Sequence, residues 1–350
     1  MSVDALSHLD LTALQTRLTR YREMTLQELL AVLPTREPKR YLYDPLKAHL
    51  SRMGKGIRPA LCIATCRAFG GTEEQALKSA VALEMIHNAF LVHDDVEDGS
   101  EYRRTQPTMQ TEHGIPIAVN AGDAMNALSL RLVRENFSLL GPELTQKIFA
   151  EFDHLMLQSL EGQALELGWV RDNCCEVTEA DYLRMILKKT CWYSFMHPCR
   201  IGALIAQGDA IDLDQFNRFG YYMGSAFQIQ DDVLNLVGDS DKYGKEIGGD
   251  LWEGKRTLML AHLFKSATEV EGDRLRTFLG LPRLARSPEE VAWAIERMHH
   301  YGSIDYASSV ARHFADSALS EFEIAYADAP ASEEKAFIPQ LIRYMVSRNL

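Results

Sequence analysis

The chain has 350 residues, of which 46% are hydrophobic and 25% charged, and its formal net charge at pH 7 is −12. This composition is typical of a globular protein with a sizeable core, and no apolar run is long enough to span a membrane. The acidic balance counts against a nucleic-acid partner, because few basic residues remain to neutralise phosphates. The N-terminal residues do not resemble a leader peptide, so we expect a cytoplasmic protein.

Apolar residues recur at intervals of three and four along much of the chain, which predicts helices rather than strands. The predicted helices span residues 76–98, 144–167, 179–207, 212–237, 289–301 and 304–326. Glycine, proline and charged clusters separate them, and no alternating run with hairpin signals competes. We therefore predict an all-α, single-domain bundle of about ten or more helices. The long charged break at residues 238–257 suggests a functional loop.

An acidic cluster, Asp94-Asp95-Val96-Glu97-Asp98, lies at the C-terminal end of the predicted helix 76–98. Asp94 and Asp98 share a helix face, since they are four residues apart. Negative charge at this end opposes the helix dipole by a few tenths of a kcal/mol, so the cluster calls for a cation. Magnesium is the natural candidate because it prefers oxygen ligands and is often shared between carboxylates and phosphates.

A second polar face lies on the predicted helix 212–237. Gln228, Asp231, Asp232 and Asn235 follow one another at i, i+3, i+4 and i+7 on an otherwise apolar helix. If the two acidic faces oppose each other, they would hold divalent ions between them. Those ions would in turn bind a diphosphate that the carboxylates alone would repel.

Short basic motifs, most of them beside glycine, accompany the acidic faces. They are GKGIRP at 54–59, RRTQPT at 103–108, KKT at 188–190, GK at 244–245 and GKRT at 254–257. One exposed basic pair would mean little, but five beside two acidic helices indicate phosphate binding. His87 lies on the same helix face as Asp94, which favours a place in the pocket. Phe90, one turn before Asp94, is placed to wall the cavity below the metals.

In order and spacing, these motifs resemble those of the trans-type isoprenyl diphosphate synthases, or polyprenyl synthetases. HNAFLVHDDVED at 87–98, AGDA at 121–124, FQIQDD at 227–232 and YGSI at 301–304 extend the likeness over most of the chain. The resemblance implies one domain over residues 1–350, built around a deep apolar cavity. It also implies a homodimer, with residues 1–40 as a helical extension at its interface. The implied reaction joins isopentenyl diphosphate to dimethylallyl, geranyl or farnesyl diphosphate by metal-assisted ionisation.

The same resemblance implies a role for each matching residue. It assigns three Mg²⁺ ions, with Mn²⁺ as a substitute, to Asp94, Asp95, Asp98, Asp231 and Asp232. Isopentenyl diphosphate is expected at Lys55, Arg58, His87 and Arg104, and the allylic diphosphate at Arg103, Lys189, Thr190, Gln228, Lys245 and Lys255. The residues expected in catalysis are Asp94, Asp95, Asp98, Arg103, Lys189, Asp231 and Lys245. Ala89 and Phe90 are expected to form the wall that sets product length.

Two positions depart from the family pattern. Asn235 replaces the usual third aspartate of the second motif, which removes one charge from the expected metal site. Thr105 stands where glycine is usual, so we expect an altered turn. Asn235 and the surroundings of Asp94 look like geranylgeranyl diphosphate synthases, whereas Phe90 looks like the wall of farnesyl synthases. A farnesyl or longer-chain product therefore stays open beside the geranylgeranyl one.

Three other functions compete with this interpretation. A type I terpene cyclase needs no second diphosphate pocket, and Lys55, Arg58 and His87 argue against it. A ferritin-like di-iron bundle would use Glu and His at i, i+3, as in Glu84 with His87 and in residues 151 and 154, but it leaves both aspartate motifs unexplained. A non-catalytic synthase subunit would explain Asn235 but not the intact first motif.

Overall fold

The computed structural model describes residues 11–237 and 248–346, and most of these residues are helical. The α-helices are α1 Leu11–Ala31, α2 Asp44–Ser51, α3 Ile57–Ala68, α4 Glu73–Asp98, α5 Met109–His113, α6 Ile115–Glu135, α7 Phe137–Leu140, α8 Pro142–Arg171, α9 Glu179–Ile186, α10 His197–Gln207, α11 Gln215–Val237, α12 Gly249–Glu253, α13 Leu258–Ser266, α14 Glu269–Leu279, α15 Pro288–His300, α16 Ser303–Ala325 and α17 Glu333–Val346. The all-α prediction is confirmed, and the predicted helices are present with ends shifted by at most a few residues, except that a π-helix interrupts the one predicted at 179–207.

Local sequence determines both ends of α4, the helix that carries the first acidic cluster. Thr72 and Gln75 form a reciprocal capping box at its start, which satisfies free N–H groups of the first turn. Gly99 ends the helix with a φ of +65°, in the left-handed region that glycine adopts without a steric penalty. The last turn therefore contains Asp94, Asp95 and Asp98, as the sequence predicted.

The segment between α9 and α10 is a π-helix, Leu187–Met196, where the sequence predicted uninterrupted α-helix. Single π turns often mark functional sites, because the extra residue redirects side chains. The π-helix packs closely between α8 and α11. A Cβ atom added at Gly162 of α8 would lie 2.3 Å from the backbone nitrogen of Lys189, and one at Gly224 of α11 would lie 2.7 Å from Cys191 Sγ.

A small hairpin follows α4, although the sequence showed no hairpin signal. Strands β1 Tyr102–Arg103 and β2 Gln106–Pro107 pair antiparallel, and they are too short for an alternating pattern to be visible. The turn residues Arg104 and Thr105 have φ values of 53° and 62°. This turn is of the type that favours glycine or asparagine, so Thr105 is an unusual occupant.

Two hydrophobic clusters meet along α11. Phe216 and Phe219 belong to the larger cluster with Phe152, whereas Ile229 and Val233 belong to the cluster around α13 to α16. Gln228, Asp231 and Asp232 thus lie where the two clusters join. Among the described helices, none is long and apolar enough to cross a membrane.

The six cysteines are free thiols. Cys62, Cys66, Cys191 and Cys199 are buried, and Cys174 and Cys175 are half-buried. Burial raises the pKa of Cys66 and Cys191 to about 12, so these thiols stay protonated at neutral pH.

Candidate active site

A cavity of about 870 Å³ opens beside the C-terminal end of α4, and side chains of α4, α8, the π-helix and α11 line it. Its size is that of a small-molecule site. Asp94 from the first acidic motif and Asp231 and Asp232 from the second line this one cavity. The two acidic faces that the sequence separates by more than a hundred residues therefore share one space.

Arg103 binds the first motif from the hairpin. Its Nε donates to Asp95 Oδ1 at 2.7 Å, and its Nη2 donates to Asp94 Oδ2 at 3.2 Å. Burial alone would lower the pKa of Arg103, but the negative charges of Asp95 and Asp94 outweigh burial and raise this pKa. Asp95 is only 2% exposed and does not line the cavity, so in this structure it faces Arg103 rather than the open space.

Lys189 joins the first motif to α8. Its Nζ donates to Asp94 Oδ1 at 3.3 Å and also to the buried carboxylate of Glu166. Burial alone would lower the pKa of Lys189, whereas Glu166 and Asp94 raise it, so the ammonium stays charged. Sequence reasoning missed Glu166, which lines the cavity. The signal was present, since Ser159, Gly162 and Glu166 follow the buried stripe of α8 and an acid is unusual there.

Lys255 closes the other side of the first motif. Its Nζ lies 2.7 Å from Asp98 Oδ2 and 2.7 Å from Glu253 Oε2. Burial raises the pKa of Asp98 to about 7, although Lys255 opposes this shift. Asp98 lines a smaller adjoining cavity of about 370 Å³, and Lys255 lines both cavities.

Hydrogen bonds fix the second acidic motif. Asp232 accepts from Tyr182 Oη at 2.7 Å and from Gln228 Nε2 at 2.8 Å, and Thr190 Oγ1 donates to Gln228 Oε1 at 2.9 Å. Burial raises the pKa of Asp232 to about 7, although the hydrogen bonds from Tyr182 and Gln228 oppose this shift. Tyr182 is a further site residue for which the sequence carried no signal.

Asn235 has a different place from the one the sequence suggested. It is 3% exposed and does not line the cavity. Its Oδ1 accepts a hydrogen bond from the backbone N–H of Asp250 at 3.1 Å, and its backbone oxygen accepts one from the backbone N–H of Gly248 at 2.7 Å. Asn235 therefore holds the start of α12 in place, and the missing charge lies outside the cavity.

A basic wall lies on the α3 side of the cavity, and Lys55, Arg58, His87 and Arg104 all line it. Arg58 Nη2 donates to Tyr193 Oη at 2.8 Å and to Ser194 Oγ at 2.7 Å. Burial, followed by the charges of Arg58 and Arg104, lowers the pKa of His87, so this imidazole is neutral. Tyr193, whose hydroxyl lies 3.5 Å from His87 Nδ1, was missed by the sequence analysis.

The apolar part of the cavity includes Phe90, whose ring packs edge-to-face against Tyr193 with 5.5 Å between centroids. Ala89 is fully buried and does not line the cavity, so of this expected pair only Phe90 reaches it. Lys245 lies outside the described residues, and its role stays a prediction.

The di-iron alternative lacks its cage of ligands. Across residues 11–237 and 248–346, no three His, Cys, Asp or Glu side chains could together hold a metal ion. Glu151 instead forms a bidentate pair with Arg200, at 2.7 and 2.8 Å, and a 2.7 Å hydrogen bond with His197. Magnesium needs no such cage, since it takes one or two carboxylates together with phosphate oxygens and water. The carboxylates of Asp94 and Asp231, which line one cavity, fit that pattern.

The fold is a helical bundle, and its cavity combines carboxylates, basic side chains and an apolar part, as expected of an enzyme whose substrates are both charged and apolar. The model of the polyprenyl synthetase family matches residues 39–298, and the chain belongs to this family of prenyltransferases. The family resemblance found in the sequence is confirmed.

Curated relatives and solved structures agree with this assignment. A short chain isoprenyl diphosphate synthase of Methanothermobacter thermautotrophicus is 33% identical over 289 residues, which cover 83% of this chain and 86% of the relative. A geranylgeranyl diphosphate synthase of Saccharolobus solfataricus is 32% identical, with 82% and 85% covered. The crystal structure of geranylgeranyl pyrophosphate synthetase from Pyrococcus horikoshii is 30% identical and has a TM-score of 0.85, covering 97% of this chain and 99% of its own.

A polyprenyl synthase from Caulobacter crescentus, solved with calcium and isoprenyl diphosphate, is 27% identical with a TM-score of 0.82. The alignment covers 95% of this chain and 98% of that one.

Proposed function

We propose that this prenyltransferase condenses isopentenyl diphosphate with an allylic diphosphate, and that its main product is geranylgeranyl diphosphate. One observation carries the proposal: an acidic wall with the half-buried lysines Lys189 and Lys255, and a separate basic wall, line the same cavity. These two walls provide places for two diphosphates, whereas a terpene cyclase needs one.

The acidic wall binds the allylic diphosphate. Asp94, Asp95, Asp98, Asp231 and Asp232 are proposed to hold three Mg²⁺ ions, or Mn²⁺ in their place. When bound, these ions neutralise the diphosphate and the charge that develops as it leaves. Of these carboxylates Asp95 and Asp98 face Arg103 and Lys255 here, so they reach a metal only if those cations move to the diphosphate.

Cations beside the acidic wall orient the allylic diphosphate. Arg103, Lys189 and Lys255 already lie against the first motif, and Thr190 with Gln228 adds hydrogen-bonding groups beside the second. Such preorganised positive charge stabilises the negative charge on the leaving oxygen as the allylic C–O bond breaks. Lys245 is proposed to assist from the segment outside the described residues.

The basic wall binds isopentenyl diphosphate through Lys55, Arg58, His87 and Arg104. Its double bond attacks the allylic carbon, a new carbon–carbon bond forms, and the proton lost goes to the departing diphosphate. Phe90 and the other apolar lining residues keep water away from the allylic cation.

Two observations bear on the length of the product, and they favour different lengths. Several relatives and solved structures carry the name geranylgeranyl diphosphate synthase, which supports a C20 product. Phe90 is a bulky residue that lines the cavity and packs against Tyr193, which favours the shorter farnesyl product as the second candidate.

We also propose a homodimer. Val119 and Leu130 on α6 and Leu157 and Leu160 on α8 are between 38% and 57% exposed, and such apolar surface typically marks an interface. We place the interface on this α6–α8 surface rather than on residues 1–40, because α1 buries Leu14, Leu18 and Tyr21 in the core of its own chain. One domain over residues 1–350 and a cytoplasmic location stay predictions of the sequence.

The test is a product assay. Purified protein is incubated with radiolabelled isopentenyl diphosphate, Mg²⁺ and each primer in turn, and the dephosphorylated products are separated by chromatography. We expect C20 alcohol from the farnesyl primer. A protein that incorporates no label with any primer would contradict the proposal and support the non-catalytic subunit. Hydrocarbon formed from geranylgeranyl diphosphate alone would support the terpene cyclase.

A further inference from the structure

Glu84 is a buried acid in the wall that otherwise carries positive charge. It lies on α4 one turn before His87, is 2% exposed, and lines the cavity. Its Oε1 has only a 3.5 Å contact from Asn88 Nδ2, and its Oε2 has no hydrogen-bond partner among the described residues. A buried carboxylate oxygen without a partner is unfavourable, because its lost hydration is not replaced, so a partner is expected in another state of the site.

Arg58 has a complementary unpaired group. Its Nε–H is buried and has no hydrogen-bond partner within the described chain. Its Nη2 is bonded to the hydroxyls of Tyr193 and Ser194. Burial raises the pKa of Glu84, and Arg58 is the foremost of the charges that oppose this. An unpaired donor and an unpaired acceptor of opposite charge therefore line the same part of the cavity.

The neighbouring Arg22 and Arg104 donate to backbone oxygens. Arg22 donates to the backbone oxygens of Gly54 and Met53 at 2.8 and 3.0 Å, and Arg104 donates to that of Arg52. These contacts hold the backbone that precedes α3. Arg58 alone of the three ends on two hydroxyl groups, which are neutral and weaker partners than a phosphate.

We propose that Glu84 is a positioning residue for isopentenyl diphosphate, acting through Arg58. When the diphosphate draws the two Nη groups of Arg58 towards it, the Nε–H turns to Glu84, and the guanidinium lies fixed between carboxylate and phosphate. The planar fork of arginine provides both edges at once. Glu84 itself does not touch the substrate. This inference rests on the proposed function, because it takes the basic wall as the site of isopentenyl diphosphate.

The test compares two variants of similar size. Glu84→Met removes the acceptor, and we expect the KM for isopentenyl diphosphate to rise about tenfold, the effect of one lost hydrogen bond to a charged group. The KM for the allylic primer should change less than about twofold, since that substrate binds the other wall. Glu84→Gln keeps an acceptor oxygen, and its KM for isopentenyl diphosphate should stay within about threefold of the wild type. Glu74→Met, at an exposed position in the first turn of the same helix, serves as the control.

Two results would overturn the inference. One is an unchanged KM for isopentenyl diphosphate in Glu84→Met. The other is a KM that rises equally for both substrates, and to the same extent in Glu84→Met and Glu84→Gln. Should Glu84→Met fail to fold, Arg58→Lys decides, because lysine keeps the charge but has no Nε–H. It should show the same rise confined to isopentenyl diphosphate, and wild-type KM values would refute the pairing. Failure of the proposed function is a separate result, since the wild type would then show no turnover.

Discussion

Lys255 Nζ lies 2.7 Å from Asp98 Oδ2, although 157 residues separate the two in the chain. The first acidic motif is also paired through Asp94–Lys189, Asp94–Arg103 and Asp95–Arg103. Each cation comes from a different segment. The site thus pairs its own charges, and a diphosphate that binds there must exchange these partners.

This arrangement predicts that metal and diphosphate bind cooperatively. Mg²⁺ alone must compete with Lys189 and Lys255 for the carboxylates, whereas inorganic diphosphate gives the displaced ammonium groups new partners. We expect the Mg²⁺ affinity to rise about tenfold or more in the presence of inorganic diphosphate, measured by titration calorimetry. Equal affinities with and without diphosphate would contradict the exchange.

The titration is repeated with a variant of the first motif and with a control variant outside it. Asp94→Asn should lose most of the coupling and nearly all turnover while its thermal unfolding stays close to that of the wild type. Asp153→Asn, an exposed position of α8 away from the cavity, should retain both.

A second prediction concerns product length. Phe90→Ala removes the ring that packs against Tyr193 and opens the apolar end of the cavity. We expect products longer by at least one isoprene unit, seen by chromatography of the dephosphorylated alcohols. Phe149→Ala, a partly buried phenylalanine of α8 that does not line the cavity, should leave the product distribution unchanged. An identical distribution in both variants would remove Phe90 from the wall.

A third prediction concerns the apolar surface of α6 and α8. Leu157 is 57% exposed, and a charge at its position would be buried in the proposed homodimer. Leu157→Glu should therefore shift the mass in sedimentation equilibrium from twice 39.5 kDa to the monomer value. Val270→Glu, at a 79% exposed position of α14, should leave the mass unchanged. A monomeric wild type would refute the interface.

A fourth prediction is a pH dependence of stability that arises from Glu151. Burial would raise its pKa, but Arg200 and His197 outweigh burial and lower it to about 2. An acid whose pKa is lower in the folded state than in the unfolded state stabilises the fold at pH values above the unfolded pKa, which is 4.5 here. This stabilisation is lost as the pH falls towards the folded pKa of about 2. The size of the shift corresponds to about 3 kcal/mol.

Glu151→Gln should accordingly be less stable than the wild type by about 3 kcal/mol at pH 7, with the difference shrinking between pH 4.5 and 2. Urea denaturation at a series of pH values measures this. A difference that is independent of pH would show that the pair does not carry the effect.

Much of the site was predictable from sequence because its motifs are local. Asp94 and Asp98 share a face of one helix, and Gln228, Asp231 and Asp232 share a face of another, so a count of residues sufficed to group them. The capping residues Thr72 and Gly99 likewise place the acidic cluster in the last turn of α4. Glu166 was visible as an acid on the buried stripe of α8, but its partner Lys189 was not, and Tyr182 was missed because its partner Asp232 is brought to it only by the tertiary structure.

Local periodicity and motif spacing in the sequence alone determined the helical fold, the family and the residues of each motif, because these depend on neighbours along the chain. Only the tertiary structure decided which carboxylates face the cavity and which face a cation. Asp95, Asp98 and Asn235 belong to the motifs, yet packing turns them towards Arg103, Lys255 and the backbone of Asp250. A helix face gives a direction, but burial and charge pairing between distant segments determine what each side chain contacts.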